Sequence, residues 1–570
     1  MIQKLFIALF LISILEGPYK TSILKSPLDI PIVLSANFGE PRSDHFHSGV
    51  DIKTDGVTGK RVYPASDGYI YRIAVSPTGF GKALYIRHRN GLSTVYGHLS
   101  RFKPEIEKYV KENQYARKSF SVNLYPDPGK FTVKEGDIIG YSGNSGSSMG
   151  PHLHFEVRRS SGEKPLDPTQ FYNIEDNIKP VIRSVVVYPG KTMSEVNGKR
   201  EKLILNASGY NGKYTTGNNK PVEVCGAVGF GINTYDFLNN SWNKCGVRII
   251  NLRVDEKLIY SHSIDEFAFS ETRYINSHID YEEHIRNNYY IQKTFLEPNN
   301  KLSIYNHAIN NGIVEFNDTK LHEIEISVSD FNNNYSTIKF FVKSDKTKSD
   351  EPPDNQGKLM PYGQKNEIRH HDMRLSFPAN CFYDSIYFNY KKAPSDKDNI
   401  ISDLHFIHDK YTPVHKYYEI AIQPNIETAE ALKDKLCLVY IDGEDRESVS
   451  YAGGKWQNGF VEESVRNLGI YAIMIDTIPP SIQPVRFADG ATLDNNSRLR
   501  VKVSDEFSGI GEYVALIDDS WALFEWDPKN SLLTYEPDPL YIRKGGKHTL
   551  ELYVKDNRDN ESVLRLDFYW

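Results

Sequence analysis

Three short motifs in the first third of the chain contain residues that can bind and use a metal ion. They read H-S-G-V-D, Y-G-H-L and P-H-L-H-F, and between them they supply four histidines and one aspartate. A hydrolytic zinc ion usually has three imidazole or carboxylate ligands and leaves one position for water. His47, Asp51 and His154 would form such a set. The three motifs together therefore predict a catalytic zinc site.

The third motif predicts a strand, because polar and apolar residues alternate strictly from His152 to Val157. Such a strand would point His152, His154 and Glu156 to one face of a sheet and the apolar residues to the other. Zinc lowers the pKa of its bound water from about 16 to about 7, so amide hydrolysis then needs a proton acceptor and a group that holds the oxyanion. We expect His98 and His152 to fill these two roles.

The order and spacing of these motifs resemble the lysostaphin-type zinc metallopeptidases, the LytM-like family of murein endopeptidases. The family pattern is H-x-x-x-D, then Y-x-H-L, then a Gly-rich turn that leads into H-L-H-F-E, and each part occurs here. The resemblance implies that His47, Asp51 and His154 bind one Zn²⁺ per chain and that His98 and His152 are the catalytic pair. It also implies an N-terminal antiparallel β metallopeptidase domain.

Other catalytic schemes have little support in the sequence. The motif H-E-x-x-H does not occur, because His322 and Glu323 are followed by Ile-Glu-Ile, and the serines and glycines near 140–150 form neither G-x-S-x-G nor a phosphate-binding loop. His45 shares one face of an extended segment with His47, but only His47 has an aspartate four residues later. We therefore expect His45 to flank the metal site.

The length and composition indicate several globular domains in an exported chain. At 570 residues, 39% apolar and 12% aromatic, each domain can have its own core, and the net charge of -6 gives no basic surface for nucleic acid. The apolar run at 5–15 is too short to span a bilayer and is typical of a signal peptide. Residues 15–18 are a poor cleavage site, so an uncleaved N-terminal anchor is the alternative. Either implies a location in the periplasm or cell envelope.

The C-terminal part contains an internal repeat. Asp-x-Ile-x-Pro-x-Ile occurs at 176–182 and again at 476–482, and an alternating strand that begins with His and ends with Asp occurs at 322–330 and at 548–556. The two copies resemble the immunoglobulin-like sandwiches of bacterial surface proteins, the first with a long insertion. The chain is therefore expected to be mainly β, with this organisation: signal peptide or anchor 1–20, metallopeptidase domain 21–175, Ig-like domain 176–345, linker 346–363, β-rich domain 364–475 and Ig-like domain 476–570.

All four cysteines lie outside the predicted catalytic domain. Export and an even number permit two disulfides, Cys225 with Cys245 and Cys381 with Cys437. Buried thiols explain the same residues equally well, and the sequence leaves both alternatives open.

The segment 102–134 follows the second motif and is longer than the loop that the family often has there. Its first part, from Pro104 to Asn113, is predicted to be a charged helix. It is either a wall or lid over the metal cleft or an excursion on the surface. Several histidines and tryptophans elsewhere are expected to have structural roles, the tryptophans by core packing rather than by stacking on sugars: His370, His371, His405, His408, Trp242, Trp521 and Trp526.

Three functions are compatible with the sequence. The leading hypothesis is a zinc endopeptidase that cuts peptide cross-links of bacterial peptidoglycan, as the resemblance implies. The second is a non-catalytic scaffold that activates a separate cell-wall amidase, but all five motif positions are intact. The third is an adhesive or glycan-binding chain that acts through its β domains, which could also bind other cell-envelope proteins.

Overall fold

The computed structural model describes residues 24–191, 194–217, 220–344, 356–397, 399–442, 448–494 and 497–570. The expected signal peptide or anchor at 1–20 and most of the expected linker lie outside these residues. Within the described part of the chain, no helix is both long and apolar enough to cross a membrane. The fold is mainly β, as predicted.

The N-terminal part is built on a nine-stranded antiparallel sheet in the order β1-β2-β11-β6-β5-β4-β8, with β12 beside β11 and β9 beside β4. A second sheet contains β3, β10 and β7. The apolar residues of the central strands pack into one core, and this leaves the opposite face of β2 and β11 for polar side chains. The strands are β1 Leu34–Ala36, β2 Val50–Lys53, β3 Arg61–Val62, β4 Gly68–Val75, β5 Lys82–His88, β6 Leu92–Leu99, β7 Arg101–Phe102, β8 Val122–Leu124, β9 Thr132–Val133, β10 Gly140–Tyr141, β11 His152–Arg159 and β12 Pro165–Leu166.

Helix α1, Pro104–Arg117, lies within the segment 102–134 and extends the helix predicted there. Proline in its first turn, acidic residues near the start and a left-handed residue after its end all favour a helix with these bounds. Its inner face buries Ile106 and Val110. A short 3-10 helix, Pro168–Phe171, ends the N-terminal part.

The second part is a thirteen-stranded sheet in which the long β18 pairs with strands from both of its halves. Its core is a single cluster of Val, Ile and Phe side chains. The elements are β13 Val181–Pro189, β14 Glu195–Val196, β15 Leu203–Asn206, β16 Ser208–Tyr210, β17 Lys213–Thr215, β18 Val222–Tyr235, β19 Ile249–Val254, β20 Lys257–Ser263, α2 Ile275–His278, α3 Tyr281–Asn287, β21 Ile291–Lys293, β22 Tyr305–Ala308, β23 Val314–Phe316, β24 Leu321–Ser329 and β25 Tyr335–Ser344. Two 3-10 turns accompany them at Thr272–Tyr274 and Ile309–Gly312.

The third part contains one two-stranded and two five-stranded sheets around a common core. Its strands are β26 Lys358–Met360, β27 Asn366–Arg369, β28 Met373–Phe377, β29 Ile386–Phe388, β30 Tyr390–Ala393, β31 Leu404–Ile407, β32 Tyr418–Ile422, β33 Leu436–Asp442, β34 Ser448–Tyr451, β35 Lys455–Gln457, β36 Phe460–Val465 and β37 Gly469–Ile475, with a 3-10 helix at Glu430–Lys435.

The last part packs a four-stranded sheet, β38-β40-β44-β43, with a five-stranded sheet, β39-β46-β45-β41-β42, around one core. Its strands are β38 Ser481–Pro484, β39 Ala491–Thr492, β40 Leu499–Ser504, β41 Ile510–Ile517, β42 Ser520–Trp521, β43 Glu525–Asp527, β44 Leu532–Tyr535, β45 Lys547–Asp556 and β46 Glu561–Tyr569.

The two copies of the sequence repeat have the same register. His322 pairs with Val342 across β24 and β25, and His548 pairs with Phe568 across β45 and β46. In both copies the histidine Nδ1 contacts an aspartate Oδ2 on a neighbouring turn. This aspartate is Asp255 at 2.7 Å in the first copy and Asp518 at 2.6 Å in the second. The repeated pattern therefore corresponds to a repeated piece of structure.

The cysteines are buried, and the structure contains neither of the two disulfides that the sequence permitted. Cys245, Cys381 and Cys437 are free thiols. The thiol of Cys381 donates to the carbonyl of Lys416, with 3.3 Å between Sγ and O. Burial raises the pKa of Cys381 and of Cys437 to about 12, which makes these thiols unreactive.

One expectation for the tryptophans is wrong. Trp242 does not pack in a core, because 94% of its surface is exposed. It lies in a loop whose neighbouring residues turn towards the catalytic cleft described below. Trp526 packs against the core of the last part, as expected, and Trp521 contacts Tyr115 edge-on at 5.2 Å.

Candidate metal centre and active site

Strand pairing brings two of the predicted ligands face to face. β11 lies between β2 and β6, so His154 is directly opposite Asp51 on one side and Gly97 on the other. A Cβ at Gly97 would lie 3.3 Å from the Cβ of His154, so glycine leaves room for the imidazole. His47 precedes β2 and turns back over the same face. The alternation read from the sequence is thus what brings the predicted ligands His154 and Asp51 to one face.

The three predicted ligand atoms lie close together. His154 Nδ1 is 2.9 Å from Asp51 Oδ1 and 3.1 Å from His47 Nε2, and His47 Nε2 is 3.2 Å from Asp51 Oδ1. Ligands on a tetrahedral zinc ion with bonds of about 2.0 to 2.1 Å are separated by about 3.3 Å. Two imidazoles and a carboxylate at these distances fit zinc.

Each imidazole of this set is oriented by a second hydrogen bond, as is usual for histidines that bind metals. His47 Nδ1 donates to the carbonyl of Asn37 at 2.8 Å, which leaves Nε2 directed at the cluster. His154 Nε2 is 2.9 Å from Glu156 Oε1, which leaves Nδ1 directed at the cluster. Glu156 is fully buried and also accepts from Ser48.

The two predicted catalytic histidines lie beside this cluster. The ring centroids of His98 and His152 are 4.8 Å apart, and His152 Nε2 is 3.4 Å from Asp51 Oδ1. Both donate Nδ1–H to carbonyls of the Gly-rich loop 143–150, His98 to Ser145 at 2.8 Å and His152 to Gly150 at 2.8 Å. These bonds fix the tautomer and keep each Nε2 available for chemistry.

His98 has an unusual backbone conformation. It lies in β6 with a φ of 58°, a left-handed value that L-residues rarely adopt and that occurs often at functional sites. Its backbone N–H donates to the carbonyl of Phe80 at 2.8 Å, which holds this conformation. The ring of Phe80 in turn stacks on His154, with centroids 4.7 Å apart.

The electrostatics of the cluster favour a bound cation. Burial lowers the pKa of His154, but its hydrogen bonds to Asp51 and Glu156 outweigh burial and raise this pKa to about 9. Burial raises the pKa of Asp51, but the neighbouring His47, His152 and His154 hold it well below its usual value. A positive charge is thus stabilised at the point where the ligand atoms meet.

His98 differs from His154 in its charge state. Burial lowers its pKa, and the positive charges of His154 and His152 lower it further, to about 3. The ring is therefore neutral at pH 7, and its Nε2 can accept a hydrogen bond or a proton.

The cluster lies at the bottom of an open cleft of about 1300 Å³. One wall is the Gly-rich loop, which contributes residues 147–150. The opposite wall comes from the second part of the chain, which contributes Asn240, Asn243 and Lys244. The cleft is therefore composite, and the motifs gave no indication of this second wall.

Of the two alternatives for segment 102–134, a wall or lid over the cleft is wrong for this structure. None of the residues that line the cleft belongs to this segment. Helix α1 instead packs outwards against the last part of the chain, where the rings of Tyr115 and Tyr541 stack with centroids 3.4 Å apart. Lys111 Nζ also lies 2.5 Å from Asp538 Oδ2. The segment is thus an interface, not a lid.

Sequence reasoning missed several residues that support the site. Asn37 lies ten residues before His47 and outside the three motifs, and its carbonyl orients His47. Glu156 was placed on the correct face but received no role. Arg158 continues this face and pairs with Glu156 at 2.5 Å, so the same alternation could have found it. No sequence pattern near the three motifs could have indicated the residues that the second part contributes to the cleft.

Comparisons with known proteins agree with this site. The model of peptidase family M23 matches residues 45–122 and 126–168, and this stretch contains all five predicted site residues. This stretch is an M23 peptidase domain. A Zu5-like domain model matches residues 357–476, which correspond to the third part of the fold.

Relatives of the M23 domain include cell-wall enzymes. The DD-carboxypeptidase/endopeptidase Mpg of Neisseria meningitidis is 31% identical over 122 residues, which are 21% of this chain and 22% of the relative. The peptidoglycan DD-endopeptidase ShyA of Vibrio cholerae is 30% identical over 184 residues, which are 31% of this chain and 34% of the relative. The chain thus spans about a third or less of the length of these relatives.

Similar proteins also occur among solved structures. The catalytic domain of lysostaphin from Staphylococcus simulans is 26% identical, with 25% of this chain and 91% of that domain covered and a TM-score of 0.19.

Proposed function

We propose that the protein is a zinc-dependent endopeptidase that hydrolyses peptide cross-links of bacterial peptidoglycan. The observation that carries the proposal is the cluster of His47, Asp51 and His154, whose ligand atoms are 2.9 to 3.2 Å apart in a cleft of the M23 domain. These three residues would hold one Zn²⁺ per chain. The names of the relatives, which include peptidoglycan DD-endopeptidases, support the substrate class.

The residues around the cluster have complementary roles in this proposal. A bound zinc ion would supply a nucleophilic water and polarise the scissile carbonyl. His98 and His152 flank the ligands with Nε2 available, so one accepts a proton and the other stabilises the oxyanion by hydrogen bonding. Asn37 and Glu156 keep the ligand rings in place.

The substrate places the protein in the periplasm or cell envelope, and this agrees with the signal-like apolar run at 5–15. The β parts that follow the M23 domain would bind other envelope components, and we keep the immunoglobulin-like interpretation of 176–345 and 476–570 as part of the proposal. The scaffold alternative has less support, because the ligand atoms and both flanking histidines are present and correctly oriented.

The proposal is tested by digesting defined cross-linked muropeptides with the zinc-loaded full-length protein and identifying the products by mass spectrometry. His154→Ala should lose both zinc and cleavage. His152→Ala should retain zinc but lose about 10²- to 10⁴-fold in rate. The exposed His371→Ala, which does not line the cleft, is the matched control and should retain both properties. Zinc binding without cleavage by the wild type would favour the scaffold, and cleavage by His154→Ala would contradict the ligand set.

A further inference from the structure

Two clusters of three aspartates lie far from the catalytic motifs. In each cluster every residue offers one carboxylate oxygen, and the three oxygens lie within 4.8 Å of one another. We name them triad 1, formed by Asp176, Asp236 and Asp330, and triad 2, formed by Asp476, Asp505 and Asp556.

The triads occupy equivalent positions in the two copies of the repeat. Their first members open the two copies. The second member of each triad directly follows a strand residue that pairs with the opening segment of its copy. Asp236 follows Tyr235, which pairs with Val181, and Asp505 follows Ser504, which pairs with Ser481. Their third members lie at the ends of the equivalent strands, since Asp330 directly follows β24 and Asp556 is the last residue of β45. The same arrangement therefore occurs twice in one molecule.

One asparagine closes each triad in the same way. In triad 1, Asn334 Nδ2 donates to the backbone carbonyl of Asp176 at 3.1 Å and to Asp330 Oδ2 at 2.8 Å. In triad 2, Asn560 Nδ2 makes the corresponding bonds at 3.1 Å and 2.7 Å. Each asparagine holds the first and third members together and leaves the second member to face them.

Both triads contain buried carboxylate oxygens that no donor satisfies. Asp236 is 1% exposed, and its Oδ1 has no hydrogen-bond partner. Oδ2 of Asp176 is also buried and has no hydrogen-bond partner. In triad 2, Asp476 is 5% exposed with an unpartnered Oδ2, and Asp505 has an unpartnered Oδ1. Buried carboxylates without a partner or counter-charge are costly, so native proteins pair them or use them to coordinate metals.

Positive side chains do not supply the missing charge. None of the ion pairs in the described part of the chain involves a triad carboxylate. Three carboxylates in one small space then repel one another unless a proton or a cation that is not a side chain offsets their charge.

We propose that each triad binds one Ca²⁺, so that the chain carries two calcium sites in addition to its M23 metal centre. Calcium takes six to eight oxygen ligands from carboxylates, carbonyls and water, and the triads offer only oxygen. Zinc prefers nitrogen and sulfur donors, which neither triad contains.

The charge state of triad 1 agrees with this assignment. Burial raises the pKa of Asp236, and the negative charges of Asp330 and Asp176 raise it further, to about 8. A divalent cation would remove this repulsion and return the carboxylate to its ionised form.

Calcium would act on the joints between parts of the molecule. Triad 1 lies where the M23 domain continues into the second part, and Asp236 begins the loop 236–246 that forms one wall of the cleft. The backbone groups of Asp236 and Cys245 exchange two hydrogen bonds of 2.9 Å across this loop. Triad 2 lies in the corresponding position between the third and last parts. Calcium would therefore stiffen the cleft wall at one joint and set the orientation of the last part at the other.

The test is calcium titration of the full-length, zinc-loaded protein after dialysis into calcium-free buffer that contains zinc. Isothermal titration calorimetry with CaCl₂ should give two sites per chain, and calcium should raise the melting temperature. Asp236→Asn and Asp505→Asn should each leave one site, and the double variant should leave none. Asp167→Asn is the matched control, because this buried aspartate is satisfied by Thr169 and belongs to no triad, and it should retain two sites.

A second readout separates metal binding from a merely structural role. Because Asn cannot ionise, it removes the preference of this carboxyl for the unfolded chain, so Asp236→Asn should melt at a higher temperature than the wild type in calcium-free buffer and respond less to calcium. If it does not fold, the half-exposed Asp176→Asn tests the same site. No calcium uptake by the wild type at millimolar concentration, or two sites retained in each triad variant, would overturn the proposal.

Discussion

The M23 domain contacts the second part and the last part of the chain in different ways, and the contrast shows which side of the cleft is fixed. Towards the second part the domain shares a hydrophobic cluster in which Phe267 is fully buried and packs on Phe38 and Phe46, with centroids 5.0 and 5.6 Å apart. Two buried hydrogen bonds of 2.8 Å join Asn37 to Gly246 in the same interface.

Towards the last part the contacts are aromatic and polar, and fewer of them are buried. Lys82 pairs with Glu525 at 2.8 Å, and the exposed Lys529 donates to the carbonyls of Asn144 and Ser148 in the Gly-rich loop at 2.5 and 2.9 Å. Such contacts contribute little individually, whereas a shared apolar core contributes several kcal/mol. The wall at 236–246 is therefore fixed to the M23 domain, and the contact with the last part can separate at low cost.

The largest expected effect comes from breaking the fixed interface. Phe267→Ala should lower the free energy of unfolding by about 3 to 5 kcal/mol, because it leaves a cavity in the shared core. Tyr541→Ala makes a comparable truncation on the other side and should cost less, about 1 kcal/mol for the loss of a half-buried aromatic pair. Thermal and urea unfolding measure both. Equal losses for the two variants would contradict the contrast between the interfaces.

A smaller effect is expected from breaking the link between the fixed interface and the metal. Asn37→Ala removes both bonds to Gly246 and frees the backbone that orients His47, so zinc affinity should fall by about 10- to 100-fold. Competition with a chelator measures this affinity. The surface change Asn123→Ala should leave zinc affinity unaltered. An unchanged affinity in Asn37→Ala would mean that the second part does not support the metal centre.

Breaking the contact with the Gly-rich loop should have a modest effect. Lys529→Met removes the donor to Asn144 and Ser148, and an exposed charged contact contributes about 0.2 to 1 kcal/mol. We expect kcat/KM on muropeptides to change by about threefold while the melting temperature stays nearly constant. Lys502→Met, an exposed change on the same part, is the control. A loss of a hundredfold would show that this side is as firmly fixed as the other.

A pH dependence of the stability is also expected, and it arises on the fixed side. The pKa of Asp236 is raised to about 8 by burial and by its neighbours Asp330 and Asp176, so the folded protein holds a proton that the unfolded chain releases near pH 4. In calcium-free buffer the free energy of unfolding should therefore fall as the pH rises from about 4 to 8. Asp236→Asn should flatten this slope in thermal melts, whereas the exposed Asp127→Asn should not. A slope that is the same in wild type and Asp236→Asn would rule out this carboxyl as its source.

Local patterns in the sequence were sufficient for the inner part of the site. Strict alternation from His152 to Val157 places both histidines and Glu156 on one face, and this depends only on the geometry of a strand. The repeat shared by the second and last parts was also visible in the sequence, because residues with the same sequence spacing have the same strand register in both parts. The proline, charge and spacing signals at Pro104 correctly predicted a helix.

Features that depend on distant contacts could not be read in this way. The orientation of α1 depends on Tyr541, which is far away in the sequence, so the length of segment 102–134 gave no information about its direction. The exposure of Trp242 depends on a loop held by Asp236 and Cys245, and composition alone predicted core packing. The composite wall of the cleft arises from the docking of two domains, which no motif encodes.

The bond from Lys529 to the Gly-rich loop joins residues that are 385 positions apart in the chain. Domains fold in order from the N-terminus during synthesis, at about 5 to 20 residues per second, so the loop would wait about 20 to 80 s for this partner. During that interval the M23 domain can fold, but the loop that orients His98 and His152 lacks its contact with Lys529. The maturation of catalytic capacity is thereby coupled to completion of the polypeptide, and truncated or stalled chains would carry a less ordered active-site loop.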